Sequence, residues 1–430
     1  MRILFFSKNG MAMDIARRMI AEGNEVKLYI DQRSGRECFD GMVPKVKNWR
    51  EELPWVGKNG LIVFDDSGYG KIQDGLRRRG FLVVGGCAGA DKLELDREYG
   101  QKVFRERGLL TAELRDFSSA QDAIQFIIDN PKQWVLKRGG SVSKQFYYVG
   151  QESDGSDVID FLKKSENVKT DSKHKLTLHE RIIGVEFGIG RYFNGSNWVG
   201  PIEFNVEHPR LYPGGLGPIT NEMGTLAWYS SKEKSRFYQE TLAKMTEHLR
   251  GINFKGDFAL NCIINENGAY VLEATPRFGS PIVHLQSRLQ ISSWADFLLA
   301  IAKGEDFKMQ WRKGYGIVVL IATPPFPYTM KKSIRSSYGV RFNLNALSEE
   351  DLSKISFEEV KLVEPGVYSI ADNYGYIAYV SAVHKTIQGA QKSAYQTIDK
   401  FKIPRMFYRN DIGNDFIKRD RAILKKLGYI

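Results

Sequence analysis

The chain has 430 residues, of which 42% are hydrophobic and 26% are charged. This is the composition of a folded globular protein, and its apolar runs are strand-sized, whereas a bilayer span needs about 20 apolar residues. The net charge is +11, but the basic residues form no long run. This pattern is typical of a solvated basic surface, and where it marks a ligand it favours nucleotides or phosphates over nucleic acid. Three widely spaced cysteines exclude a disulfide scaffold or a Cys-X-X-Cys metal clip, and they favour a reducing cytoplasm.

The first hundred residues alternate strand and helix signals. Short apolar runs predict strands at 2–7, 25–30, 61–64 and 81–84, and we expect the opening run to be a strand, not a signal peptide. Apolar residues at helical spacing predict a helix over 11–22. Strands that alternate with helices predict a parallel, doubly wound α/β sheet, in a unit over 1–105.

The loop after the third predicted strand is a candidate substrate site. It reads Asp65-Asp66-Ser67-Gly68-Tyr69-Gly70 and follows the carboxyl end of a buried strand. In open α/β sheets, ligands bind at that edge. Asp66, Ser67 and Gly68 are therefore predicted to contact substrate.

A second α/β unit is predicted over 106–190. It contains a predicted helix at 122–128 and strands at 133–137, 146–149 and 176–183, with the polar stretch 151–175 assigned to the surface. Lys137 ends a strand, and the Gly- and Ser-rich turn that follows holds Lys144. Small residues let backbone N–H groups approach phosphate oxygens, and two ammonium groups neutralise charge, so the pattern predicts a triphosphate site. The alternative is a flexible hairpin with two surface lysines.

Residues 214–224 form a dense loop with four glycines, a proline, and hydroxyl or amide side chains. An ordered loop rich in free backbone N–H groups suits an anionic ligand or a tetrahedral intermediate. The candidate contacts are Gly217, Pro218, Thr220 and Asn221. The alternative is a linker.

Residues 256–273 predict a β-hairpin, because an Asn-Gly turn joins two apolar runs. Asn261 and Glu273 flank the turn from opposite strands, and oxygen ligands so placed can coordinate Mg²⁺. Arg277 follows four residues after Glu273 and can stabilise charge on a transferring phosphoryl group. The alternative is an ordinary hairpin with polar ends.

The last hundred residues predict strands at 316–322 and 375–381, a helix at 388–400 and a polar tail. We find no internal repeat and no low-complexity segment in the sequence.

Five segments, in order, resemble the phosphoribosylamine–glycine ligase family of the ATP-grasp superfamily. Residues 179–187 (HERIIGVEF) resemble its EEFLxGEEF, 207–210 (EHPR) its DHKR, 217–224 (GPITNEMG) its GPNTGGMG, 273–281 (EATPRFGSP) its EFNxRFGDP, and 407–413 (FYRNDIG) its YRKDIG. The resemblance implies an ATP-grasp fold in four parts: a Rossmann-like substrate domain (1–105), two ATP-binding subdomains (106–190 and 191–312) and a C-terminal domain (313–430). It also implies a ligase that activates a carboxylate with ATP to an acyl phosphate, which an amine then attacks.

The resemblance implies roles for individual residues. ATP would be bound by the following residues: Lys137, Lys144, His179, Glu180, Arg181, Ile182 and Glu186. Mg²⁺, or Mn²⁺ in its place, would be bound by Glu273, Asn261 and Thr275, and Arg277 and Lys144 would be catalytic. Arg210, in the EHPR segment, joins the substrate candidates.

Departures from the family pattern concentrate on the substrate side. The family's GxGGREHA is SKNGMAMD here (7–14), its GPExPL is FDDSGY (64–69), and its DPE is SPI (280–282). Its phosphate loop, KPDGLAAGKGV, is KRGGSVSKQ (137–145), and its metal-binding Asn is Thr275. The substrates therefore stay open between phosphoribosylamine with glycine and another amino acid–amine pair, and a non-catalytic ATP-binding relative is a further alternative. We expect a cytoplasmic monomer or homodimer that acts on small molecules, with no nucleic acid or membrane partner.

Overall fold

The fold is built around one large antiparallel sheet that carries a parallel sheet and a small antiparallel sheet beside it. The structure is a computed structural model, and it describes residues 1–138, 147–164, 176–328 and 336–430. None of the helices in these ranges combines the length and the apolar character that crossing a membrane would require.

The N-terminal unit is the predicted parallel sheet, with strand order β2-β1-β3-β4. Its elements are β1 (Arg2–Ser7), α1 (Met13–Ala21), β2 (Glu25–Ile30), α2 (Leu53–Val56), β3 (Leu61–Phe64), α3 (Gly70–Arg78), β4 (Leu82–Val84), α4 (Ala88–Leu95) and α5 (Arg97–Glu106). Strand β1 is buried on both faces: Ile3 and Phe5 pack into one core cluster, and Leu4 and Phe6 into another. Burial on both faces explains why the strand reads as a continuous apolar run.

A four-stranded antiparallel sheet follows, with strand order β5-β8-β6-β7. Its elements are β5 (Leu114–Phe117), α6 (Ala120–Asp129), β6 (Trp134–Arg138), β7 (Tyr147–Val149), α7 (Ser156–Lys164) and β8 (Leu176–Glu180). The assignment of 151–175 to a polar surface stretch is wrong for its described part, because α7 buries Val158 and Leu162. These residues stand four apart, on one helical face, and pack against Trp134 and Leu178.

The large sheet has eight strands in the order β15-β14-β9-β10-β13-β16-β21-β18. The central part of the chain supplies β9 (Val185–Asn194), β10 (Trp198–Glu207), β11 (Arg210–Tyr212), β12 (Leu216–Ile219), β13 (Gly224–Ser230), α8 (Arg236–Glu240), α9 (Leu242–Gly251), β14 (Lys255–Asn265), β15 (Gly268–Thr275), α10 (Ile282–Leu289), α11 (Trp294–Lys303) and β16 (Tyr315–Ala322). Strands β11 and β12 pair only with each other. The hairpin expected at 256–273 is β14–β15.

The C-terminal part adds β18 and β21 to the same sheet and forms a separate three-stranded sheet, in the order β17-β20-β19. Its elements are β17 (Arg341–Asn343), α12 (Glu349–Ser353), β18 (Ile355–Phe357), β19 (Val360–Glu364), β20 (Val367–Ile370), β21 (Tyr376–His384), α13 (Ile387–Lys400) and α14 (Arg421–Lys426). The expected polar tail is instead part of the core: Phe416, Leu424 and Tyr429 are buried. The ring of Phe416 lies 5.3 Å from that of Trp228, measured between centroids.

A buried charged group joins three separate parts of the chain. His284 on α10 places Nδ1 3.1 Å from Oδ2 of Asp14 on α1, and Nε2 3.1 Å from Oε1 of Glu358, just after β18. Burial by itself lowers the pKa of His284, but the two carboxylates outweigh it and raise the pKa to about 9. The imidazole is therefore a cation between two anions.

Candidate active site

A pocket of about 220 Å³ lies between the small sheet, α5 and the β14–β15 hairpin. It gathers five of the residues predicted to bind ATP: Lys137, His179, Glu180, Arg181 and Ile182. The strand register explains the grouping, because His179 on β8 stands opposite both Val135 on β6 and Leu114 on β5. Ile263, Val271 and Leu272 form an apolar wall from the hairpin. We refer to this space as the nucleotide pocket.

The nucleotide pocket contains unpaired positive charge. Burial, and then the charge of Arg97, lower the pKa of Lys137 to about 8, while Glu273 acts in the opposite direction. Burial, with Lys137 and Arg97, lowers the pKa of His179 to about 3, so its ring is neutral near pH 7. In the described ranges neither Lys137 nor Arg97 has a carboxylate at ion-pair distance. Arg97 is a pocket residue that the sequence analysis missed, since it starts a helix well before the phosphate-loop segment.

The polar side chains at the end of β8 hold the pocket together. The Glu180 carboxylate accepts from the Glu113 N–H at 3.2 Å and lies 3.4 Å from Nζ of Lys132. The Arg181 guanidinium donates to the carbonyl of Gly150 at 2.7 Å. In this structure the side chains of Glu180 and Arg181 therefore bond to groups at the ends of neighbouring strands. Lys144, the second predicted phosphate lysine, lies outside the described residues.

The predicted metal residues stand on one face of the large sheet. Asn261 is directly opposite Glu273, and Thr275 is opposite Ala259. Glu186, which was predicted to bind ATP, does not line the nucleotide pocket and is opposite Ile263. Residues two apart on a strand share a face, so Asn261, Glu273, Thr275 and Glu186 point to the same side. The structure thus brings together residues that the sequence placed on separate segments.

Glu207, at the end of β10, belongs to the same face and was not predicted as a metal ligand. Its Oε2 accepts from Nδ2 of Asn261 at 3.0 Å, which leaves the amide oxygen of Asn261 free of that bond. Burial raises the pKa of Glu207 to about 7; the hydrogen bond from Asn261 opposes the rise, and the charges of Glu273 and Glu186 add to it. Its position two residues after Asn205, which is paired with Gly188, could have revealed this location.

This face suits a hard cation. Across the described ranges, no three His, Cys, Asp or Glu side chains are close enough together to hold a metal ion by themselves. Mg²⁺ does not need such a cage, because it typically keeps waters and binds one or two carboxylates together with substrate phosphates. Glu273, Glu207 and the amide oxygen of Asn261 form an oxygen donor set of that kind, and mutual repulsion of the carboxylates favours a cation there.

Arg277 lies at the edge of the N-terminal sheet, beside the predicted substrate loop. Its Nε is 3.3 Å from Oδ1 of Asp66 and its Nη2 is 2.9 Å from Oε1 of Glu94. Lys8 is 3.4 Å from the other oxygen of Asp66. The backbone N–H of Gly68 donates to Asp91 at 2.8 Å, which fixes the loop that also carries Ser67. Glu94 was missed by the sequence analysis because α4 carries no recognisable site pattern.

The glycine-rich segment differs from its prediction. It was expected to be a loop of free backbone N–H groups, but its first half forms the hairpin β11–β12. Arg210 donates to the carbonyl of Gly217 at 2.9 Å, and Pro218 has no N–H to offer. Gly217 has φ +80°, and an added Cβ would lie 2.5 Å from the Tyr212 ring.

The second half of that segment is anchored by its side chains. The Thr220 hydroxyl donates to the carbonyl of Pro209 at 2.8 Å, and Asn221 donates to the Tyr376 hydroxyl at 3.0 Å. The segment is therefore a braced hairpin between the large sheet and the C-terminal part.

Comparison with known proteins identifies the domain that carries this geometry. Residues 95–283 match the family model "Phosphoribosylglycinamide synthetase, ATP-grasp (A) domain". This central part of the chain is therefore an ATP-grasp domain of that type, and together with the relatives below it indicates a carbon–nitrogen bond-forming ligase.

Similar proteins extend the likeness over most of the chain. A phosphoribosylamine–glycine ligase of Clostridium acetobutylicum is 23% identical and covers 96% of this chain and 99% of its own length. One from Streptococcus pneumoniae is 22% identical and covers 97% of this chain and 100% of its own length. The crystal structure of the Thermotoga maritima phosphoribosylamine–glycine ligase has a TM-score of 0.71 and 20% identity, and covers 96% of this chain and 100% of its own. The biotin carboxylase subunit of pyruvate carboxylase shares the fold at a TM-score of 0.63 and 13% identity, covering 99% and 97%.

Proposed function

We propose that this ligase joins the carboxylate of glycine to phosphoribosylamine in an amide bond, with ATP converted to ADP and phosphate. The observation that carries the proposal is the nucleotide pocket. Among the described residues, Lys137 and Arg97 have no ion pair there, and Lys137 lies within electrostatic reach of Glu273 on the acidic face. A cation pair facing an acidic, oxygen-rich surface is the arrangement that a magnesium-bound triphosphate requires.

The proposed chemistry needs no protein nucleophile. A carboxylate oxygen of the amino acid attacks the γ-phosphorus, and the bond from that phosphorus to the ADP oxygen breaks. The amine nitrogen then attacks the carbonyl carbon of the acyl phosphate, phosphate leaves, and the nitrogen loses a proton. Lys137 and Arg97 bind phosphate charge and His179 borders the base as a neutral ring, while Arg277 stabilises negative charge on the acyl phosphate. Glu273, Asn261, Glu207 and Thr275 would hold Mg²⁺, which would screen the charge of the phosphate oxygens.

The substrate pair is supported by the relatives and by the charge pattern around Arg277. The relatives that cover nearly the whole chain are phosphoribosylamine–glycine ligases. Asp66 and Glu94 flank Arg277, so the region offers a guanidinium to a carboxylate and carboxylates to an ammonium group. Arg210, Gly217, Thr220 and Asn221 are proposed to border the substrate on the other side. We further propose a cytoplasmic enzyme, as a monomer or homodimer, with small molecules as its partners.

A second candidate is a ligase for a different amino acid and amine. The specific observation in its favour is the segment 7–14, SKNGMAMD, which lacks the Arg-Glu-His of the family pattern and would lie beside the substrate. In this structure Ser7 and the Ala12 N–H both donate to the buried Asp65 carboxylate, at 2.6 and 3.1 Å, so the segment is braced. Its one cation, Lys8, is paired with Asp66.

The test is ADP release with mass detection of the product at saturating Mg²⁺ and ATP. Glycine and phosphoribosylamine generated in the assay are offered first, then a panel of amino acids and amines. A product with the mass of glycinamide ribonucleotide supports the first proposal. ADP with another amide product supports the second. ATP binding without ADP from any mixture contradicts both and favours a non-catalytic ATP-binding protein.

A further inference from the structure

A second cavity, of about 630 Å³, lies away from the nucleotide pocket, where α1, α10 and the strands β18 and β21 meet. None of the candidate active-site residues lines it. Its volume is in the range of small-molecule sites, which run from about 300 to 1,000 Å³. We refer to it as the arginine cavity.

Positive side chains dominate the arginine cavity. Five cations line it, Arg17, Arg18, Arg288, Arg312 and Lys354, against two carboxylates, Asp14 and Glu350. They come from α1, from α10 and the segment after it, and from the C-terminal part. The lining therefore combines distant parts of the chain and has a net positive charge.

Two of the five cations are already neutralised. Arg18 lies 3.3 Å from Glu22 and donates to four backbone carbonyls, among them that of Ser287 at 2.7 Å. Lys354 lies 3.0 Å from Glu350. Both have an evident structural role in joining the elements around the cavity.

The other three cations have no acidic partner. Within the ranges that the structure describes, no carboxylate lies at ion-pair distance from Arg17, Arg288 or Arg312. Arg288 donates only to the Ser381 hydroxyl, at 3.3 Å, and Arg312 donates to the carbonyl of Arg288, at 3.2 Å. Asp14, the carboxylate on the cavity wall, is bound to His284 and Ser356.

The three guanidinium groups repel one another. Burial lowers the pKa of Arg288; Asp14 opposes this effect, and the charges of Arg17, Arg312 and Arg18 add to it. Like charges held together around a partly buried group are unfavourable unless an anion accompanies them. Guanidinium groups bind phosphate through paired N–H donors, and three of them can bind one phosphate group from different sides.

We propose that the arginine cavity binds a phosphorylated small molecule, with the phosphate held among Arg17, Arg288 and Arg312. Ser381, on β21, contributes a hydroxyl to the lining, and Ile291 and Leu352 provide apolar surface for the organic part of the ligand. Because the ligand would contact elements from both ends of the chain, its binding would stabilise their packing.

The test is calorimetric titration of the full chain with pyrophosphate and with AMP, after the nucleotide pocket has been filled with Mg²⁺ and a non-hydrolysable ATP analogue. The test variant is the double substitution Arg17→Gln and Arg312→Gln, chosen because both side chains are exposed and neither is in the catalytic site. The matched control is Arg341→Gln, an exposed arginine on β17 outside the cavity. Thermal unfolding and ADP release without the probe verify that each variant is folded and active.

We expect one of the two probes to bind the wild-type chain and the control alike. The double variant should bind it at least about tenfold to hundredfold more weakly, since the phosphate loses two of its three charged partners. An equal dissociation constant in the folded double variant would overturn the proposal. So would the absence of binding by both probes to the wild-type chain up to about 10 mM, which corresponds to a weaker site than three arginines provide.

Discussion

The nucleotide pocket and the region around Arg277 both contain cations, but only the cations around Arg277 are paired with carboxylates. In the nucleotide pocket Lys137 and Arg97 have no ion pair among the described residues, and burial keeps the Lys137 pKa near 8. Around Arg277, Asp66 and Glu94 already neutralise the guanidinium, and Asp66 also meets Lys8. The first arrangement leaves charge free for an incoming anion. The second fixes the direction of a guanidinium before the substrate arrives, which is the preorganisation that charge stabilisation requires.

The largest effect is expected from Arg277→Ala. If Arg277 acts on charge that develops during the reaction, kcat falls by about 10²- to 10³-fold while the dissociation constant for ATP stays within about twofold. Steady-state ADP release and calorimetry with ATP measure the two quantities. Arg250→Ala is the matched control, because Arg250 is also ion-paired, 2.7 Å from Glu247, but lies outside the site. Undiminished turnover in the Arg277 variant would remove this residue from the mechanism.

The next effect concerns the acidic face. Glu273→Gln keeps the side-chain size and removes one charge, so magnesium should promote ATP binding about 10- to 100-fold less effectively. The measurement is Mg²⁺ titration of ATP binding by calorimetry, together with Mn²⁺ binding by electron paramagnetic resonance, neither of which depends on turnover. Glu266→Gln, in the exposed turn of the same hairpin, is the control. A magnesium dependence equal to that of the wild type would place the metal elsewhere.

A third prediction concerns pH. The Lys137 pKa is lowered to about 8, so in the free protein its ammonium is charged below pH 8 and neutral above it. ATP affinity should therefore hold between pH 6.5 and 7.5 and weaken by up to about tenfold per pH unit above about pH 8, because a proton must then be taken up on binding. In the Lys137→Met variant we expect a lower ATP affinity that no longer weakens as the pH rises above 8. An identical pH profile in the variant would assign the titration to another group.

The smallest effect should come from Thr275→Asn, which restores the family residue. Thr275 faces the same side as Glu273, and a longer amide oxygen reaches a cation more readily than a hydroxyl. We expect magnesium to bind the ATP complex about two- to fivefold more tightly in the same titration. Thr275→Val removes the hydroxyl at nearly constant volume. If Val leaves magnesium binding unchanged, then the Thr275 hydroxyl is not a ligand.

The residues of the nucleotide pocket could be named from the sequence for two reasons. Residues 179–182 lie in a segment that resembles a family motif, and Lys137 ends a strand before a Gly- and Ser-rich turn. The Asn-Gly turn was enough to predict the β14–β15 hairpin. In the structure, its strands place Asn261 opposite Glu273. The parallel order of the N-terminal sheet and helix α13 followed in the same way from local periodicity. The domain boundaries and the individual site roles remain predictions.

What could not be predicted depends on contacts between distant residues. Arg277 and Glu94 are 183 positions apart, and nothing in the local sequence of α4 indicates that its carboxylate faces Arg277. The joining of β16 to β13 likewise depends on tertiary packing, as does burial of Phe416, Leu424 and Tyr429. The hairpin at Gly217 was missed because glycine density indicates a turn but not which strands it joins.

The buried Asp14–His284–Glu358 group bears on the order in which the chain folds. Asp14 and His284 are 270 positions apart, and Glu358 is made later still during synthesis. While the chain is being made, an emerging α10 can meet α1 before Glu358 exists, so its imidazole then has one carboxylate instead of two. Docking of the three parts is completed only when the C-terminal strands arrive, and such non-local contacts slow folding. We therefore expect fragments that end before Glu358 to bury this histidine poorly and to need the remainder of the chain, supplied in trans, to reach the native packing.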